Sequence, residues 1–133
     1  MTNANVEIAR RVFDAWARGD FSEGDAFDPD VEFELVDWPE PGRTKGIDAM
    51  RRAWVATLSA WDDFRAVADD YIDADPHVVV LNHIEGRGKS SGAAVRAECA
   101  AIMSMQAGKV VRLALHWDRA NALRSLGMPE SSP

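Results

Sequence analysis

Two stretches of the chain carry apolar residues at helical spacing. Val6, Ala9, Val12, Phe13 and Trp16 fall on one side of a helix that Asn3 or Asn5 can cap and that Gly19-Asp20 ends. Ile47, Met50, Trp54, Leu58 and Trp61 define a second, broad and aromatic face over residues 47–61, with Arg51 and Arg52 off it. A short helix is expected over 21–27, broken by Asp28-Pro29-Asp30. Elsewhere the apolar period is two. Val31, Phe33 and Leu35 alternate with Glu32 and Glu34, which predicts a half-buried strand over 31–38. Residues 39–46 read as a loop.

Four further strands are expected over 63–72, 77–85, 94–105 and 110–117, with turns at 73–76, 86–92 and 107–109. In the last of them Val111, Leu113, Leu115 and Trp117 share an apolar face, expected to look inward. Val110, Arg112, Ala114 and His116 share the other. Asp118 then stands where a side-chain oxygen caps a terminal helix carrying Leu123 and Leu126, and Gly127 stops it. Helices gathered ahead of an antiparallel meander predict an α+β fold, with a curved antiparallel sheet wrapped against the N-terminal helices.

Composition narrows the classes. The chain has 133 residues, 47% of them hydrophobic, and a net charge of -7. That suits one domain over 1–133, with 128–133 as a loose tail. An acidic chain without a basic stripe is not built for nucleic acid or for an anionic membrane. No apolar run reaches membrane-spanning length and the N-terminus has no signal core, so a cytoplasmic location is expected. The single cysteine, Cys99, forms no internal disulfide and reads as a small buried apolar residue. His77, His83 and His116 have no metal-ligand spacing, and neither a Gly-x-Ser-x-Gly elbow nor a P-loop is present, so no metal and no cofactor are expected.

Five segments in order resemble the nuclear transport factor 2-like superfamily, and within it the SnoaL-like, polyketide cyclase-like branch. They are Ala17-Arg18-Gly19-Asp20, the FDPDVEFEL run from Phe27 to Leu35, Gly46-Ile47-Asp48-Ala49-Met50, the GRGKSSG run from Gly86 to Gly92, and the stretch from Ala107 to Gly127. The resemblance implies a cone-shaped, cystatin-like α+β roll with one apolar pocket, and a homodimer paired through the outer face of the sheet. The implied ligand is a hydrophobic small molecule. The superfamily includes isomerases, epoxide hydrolases, dehydratases, cyclases and non-catalytic binding proteins, so the fold alone does not choose between them.

Carried over residue by residue, the resemblance excludes one chemistry and suggests another. The base, tyrosine and second acid of the steroid isomerases fall on Leu35, Val12 and near Ala100, none of which transfers protons. The aspartate of the SnoaL-like cyclases falls on Asp118, where an acid–base role competes with plain helix capping. His116 and Glu98 are candidate assistants. Phe13, Trp16, Phe33, Leu35, Trp38, Trp54, Met103, Leu113, Leu115 and Trp117 would form the pocket wall, with Asn82 as a polar anchor and Asp37 near the mouth. The expected function is thus binding of a hydrophobic small molecule in that pocket, either with acid–base isomerisation, cyclisation or hydrolysis at Asp118, or as a non-catalytic binding or dimerisation domain.

Overall fold

In chain order the elements are α1 (Ala4–Ala17), β1 (Phe27–Leu35), β2 (Gly42–Lys45), α2 (Ile47–Leu58), β3 (Trp61–Ala74), β4 (His77–Gly88), β5 (Ala94–Gln106), β6 (Lys109–His116) and α3 (Arg119–Ser125). They belong to a computed structural model that describes residues 4–20, 24–38, 42–74 and 76–127. The strands make one curved, unclosed sheet in the order β2-β1-β6-β5-β4-β3. All neighbours are antiparallel except β1 and β6, which run parallel.

Both faces of the sheet centre are covered. On one face the apolar stripes of α1 (Ala9, Val12, Phe13, Trp16) and α2 (Met50, Trp54) pack onto alternate residues of the strands. Those residues include Val31 and Phe33 of β1, Val78 and Val80 of β4, Met103 of β5, and Leu113 of β6. On the other face α3 lays Ala122 and Leu123 over Val79, Leu81, Ala100, Ile102 and Ala114. This explains why β4 reads as a nearly continuous apolar run, since Val78 to Leu81 are all buried.

Several local expectations change. The first helix begins at Ala4, so Asn5 lies inside it, and the alternative cap Asn3 lies outside the described residues. Of the short helix expected over 21–27, residues 21–23 lie outside the described residues, and Phe27 already belongs to β1. Asp28-Pro29-Asp30 does not break the chain but sits in β1, where the register against β6 shifts between Phe27 and Glu32. The expected loop over 39–46 contains β2, whose polar residues escaped a hydrophobic pattern because it pairs at the sheet edge. The second long helix stops at Leu58; Trp61 has helical spacing but starts β3.

Two bulges matter for the site. Between Ser104↔Arg112 and Met105↔Val110 one residue of β6, Val111, is extra. The bulge exchanges the faces, so Val110 is fully buried in the core and Val111 is only half-buried, the reverse of the simple alternation. Between Ala68↔Asn82 and Asp70↔Leu81 the extra residue is Asp69. The Asp69-Asp70 pair, which looked hostile to a strand, is accommodated there.

Candidate functional site

At one end of the sheet, α1, α2 and strands β3 to β6 enclose a small cavity. Phe13 and Trp16 come from α1, Trp54 from α2, Phe64 and Ala66 from β3, Asn82 and Ile84 from β4. Cys99 and Ala100 come from β5, Leu115 and His116 from β6, and Trp38 from the segment after β1. The aromatic rings form a contiguous wall: Phe13 and Trp16 lie 4.7 Å apart, Trp16 and Trp54 5.1 Å, and Trp38 and Phe64 6.3 Å. The space open to the centre of a water molecule is about 10 Å³, about what a single water requires.

The polar groups on this wall are few and neutral. The Asn82 side chain donates from Nδ2 to the Val80 carbonyl at 3.0 Å. Burial pushes the Cys99 thiol up to about 12, despite the nearby Arg119 guanidinium, so it stays protonated and is no nucleophile. Burial also holds the His116 imidazole below its ordinary value, against the opposing pull of Asp37 and Glu34, which leaves it uncharged at neutral pH. Among the described residues two buried nitrogens on this wall lack hydrogen-bond partners: Trp38 Nε1 and His116 Nδ1.

Two structures outside the wall hold it in place. The first is Asp37, which accepts from the Trp117 amide, from the Asp118 amide at 3.2 Å and from Asn121 Nδ2 at 2.8 Å. Burial raises its carboxyl, but these three donors and His116 outweigh it, and the net shift is downward. The Asp37 carboxylate therefore ties the end of β1 to the β6–α3 junction, immediately beside His116 and Trp38. The second is Arg119. Its guanidinium donates to the carbonyls of Cys99 at 3.1 Å and Asn82 at 2.8 Å, and pairs with Asp69 at 3.0 Å and Glu98 at 3.1 Å. It clamps β4 to β5 behind the two residues whose side chains line the cavity. The bulge at Asp69 supplies one of its carboxylates, and that same side chain receives His83 Nδ1 at 2.8 Å.

The family model for the SnoaL-like domain matches residues 9–113. The chain belongs to the SnoaL-like domain family. Solved structures agree on the fold of this SnoaL-like domain. An NTF2-like protein from Burkholderia thailandensis E264 superposes with a TM-score of 0.77 at 20% identity, covering 97% of this chain and 100% of that one. A putative SnoaL-like polyketide cyclase from Jannaschia sp. CCS1 gives 0.75 at 16% identity, covering 98% and 94%. A hypothetical protein with a ketosteroid isomerase-like fold from Catenulispora acidiphila DSM 44928, in complex with trimethylamine, gives 0.71 at 14% identity, covering 96% and 98%. At these identities the likeness is one of fold. Among curated proteins no sequence matches significantly.

Placed on this SnoaL-like domain, the candidate residues separate. Phe13, Trp16, Trp38, Trp54, Asn82, Leu115 and His116 meet around the cavity. Phe33, Met103 and Leu113 are fully buried core outside its lining, and Leu35 lines a different, outer cleft. Trp117 packs edge-on against Trp38, with ring centroids 5.0 Å apart. Asp118 is exposed and accepts from the Ala120 amide at 2.9 Å, the geometry of a helix N-cap. Glu98 is exposed and paired with Arg96 and Arg119. Neither carboxylate lines the cavity. The sequence reading missed Phe64 and Ala66, whose β3 positions follow from a register shifted by bulges, Ile84, which shares the face of Asn82 on β4 by simple alternation, and Arg119. Among the described residues no group of three or more His, Cys, Asp or Glu side chains is placed to hold a metal ion.

Proposed function

We propose that this SnoaL-like domain binds a small, uncharged, apolar molecule in the interior cavity, without covalent chemistry at Asp118. The observation that carries the reading is the character of the wall: aromatic and aliphatic side chains from both long helices and four strands, interrupted only by neutral polar groups. Such a lining favours an apolar ligand and fixes its orientation through a few polar contacts. A charged ligand would lose its hydration with no counter-charge on the wall to replace it. Asp118 is spent on capping α3 and Glu98 on Arg119, so neither supports acid–base work inside.

His116 favours a second reading. It is neutral, buried and unpaired at Nδ1, the state in which an imidazole can accept or relay a proton. Turnover of a bound ligand that disappears in His116→Phe, with binding retained, would establish it.

The binding reading is tested by native mass spectrometry of the purified protein, followed by denaturation and identification of any released molecule. Calorimetric titration with one- and two-ring apolar compounds accompanies it. Saturable one-to-one binding is expected, abolished by narrowing the cavity with Ala66→Val in a variant that still melts cooperatively. Binding that survives Ala66→Val unchanged would move the ligand elsewhere and sink the proposal.

A further inference from the structure

The interior cavity has a neighbour. A cleft of about 310 Å³, lined mainly by apolar groups, lies between Leu35 of β1, Ala56 and Thr57 of α2, Ala60 and Trp61, and the β4–β5 hairpin at Gly88, Ser91 and Val95. Among the described residues only Trp38 lines both the cavity and this cleft. The cavity holds about 10 Å³ and the cleft about 310 Å³, so a molecule of one or two rings reaches into the cavity only where the two spaces are joined.

Trp38 is placed to join them. It is 7% exposed, and its ring is held by an edge contact to Trp117 at 5.0 Å and a tilted contact to Phe64 at 6.3 Å. No hydrogen bond holds it, since Nε1 is buried without an acceptor among the described residues. Turning the indole costs packing contacts but breaks no hydrogen bond. An indole N–H is a donor only, and burying it unpaired is unfavourable. A ligand that brings an acceptor recovers that loss, whereas one that brings only hydrocarbon does not. His116 Nδ1, unpaired on the same wall, offers a second polar contact.

We propose that Trp38 determines both entry and specificity: its ring is the partition a ligand displaces between cleft and cavity, and its indole N–H donates to an uncharged oxygen acceptor on an apolar cyclic ligand. The inference rests on the cavity-binding reading above. It commits to ketone- or ether-bearing ring compounds over plain hydrocarbons of the same shape.

The probes are tetralin and 1-tetralone, which share a skeleton and differ by one carbonyl. The ratio of their dissociation constants is measured for the wild type and for Trp38→Phe, which keeps an aromatic ring and removes the N–H. Loss of one hydrogen bond should move the ratio about tenfold toward tetralin. An unchanged ratio, with both probes still bound, overturns the donor role and leaves the cavity reading standing. Binding of neither probe to the wild type removes the cavity reading and this inference with it. If Trp38→Phe does not fold, the wild-type protein decides by NMR. 1-Tetralone should move one of the five indole N–H resonances downfield and tetralin should not; no such shift overturns the proposal. For entry, the association rate of tetralin should rise about tenfold in Trp38→Ala, and an unchanged rate refutes the partition.

Discussion

Replacing Asp37 by alanine removes one carboxylate and strands three donors: the amides of Trp117 and Asp118 and the side chain of Asn121. A hydrogen bond to a charged acceptor is worth roughly 1.5–3 kcal/mol net. The three are not additive here, because Asp118 is exposed and its amide can rehydrate. We therefore expect a loss of about 2–4 kcal/mol. For a domain of this size that lowers Tm by about 8–16 °C, followed by circular dichroism at pH 7. The sign of the pH dependence is a second check. Folding depresses the carboxyl below its ordinary 3.8, so its stabilisation is complete above about pH 4 and is lost as pH falls through the folded value. The stability gap between wild type and Asp37→Asn, measured by urea unfolding, should be full at pH 6 and shrink toward pH 2.5. A Tm change under about 2 °C in Asp37→Ala, or a gap independent of pH, would refute the anchoring argument.

Asp118→Ala should cost about 1 kcal/mol through the lost cap and leave ligand affinity within about twofold; a large loss of affinity at unchanged stability would return Asp118 to the site. Cys99, with its thiol held at about 12, should resist iodoacetamide at pH 8 in the native protein and react within minutes in urea. Rapid native alkylation would contradict its burial. His116 has a folded pKa below its unfolded value, so it withdraws stability as pH falls below about 6.5. His116→Gln should flatten the stability profile between pH 7 and pH 5, and an unaltered slope would mean that the histidine is not buried neutral.

What the sequence disclosed was set by range. The stripes of α1 and α2, the alternation of β1 and the Asp118 cap depend on neighbours within one or two turns, and all were legible. Local spacing also put Trp61 on a helix that ends at Leu58, because a turn and a new strand happened to keep the rhythm. The bulges at Val111 and Asp69 were hidden, since an inserted residue shows only against its partner strand. The partners of Asp37 and the clamp at Arg119 were hidden for the same reason. Asp37 finds its donors 80, 81 and 84 positions away, and Arg119 finds Cys99 and Asn82 at 20 and 37. No periodicity encodes such pairings. The family resemblance supplied the overall architecture that spacing could not, but it also drew attention to Asp118, which the structure places on the rim of a helix rather than in the cavity.

The parallel seam between β1 and β6 gives the domain a timetable. Among the described residues the β1–β2 ribbon joins the sheet only through β6, the last of the six strands in chain order. Until that strand emerges, Val31, Phe33 and Leu35 have helices above them but no ladder beside them except β2. Closing a loop of about 80 residues is entropically costly and slow, so pulse-labelling hydrogen exchange should find β1 amides protected no earlier than those of β6. Earlier protection of β1 would mean that the ribbon is stable on its own. Until β6 is made, β1 of a nascent chain has an open edge on that side, and an unpaired strand edge is where one unfinished sheet can pair with another.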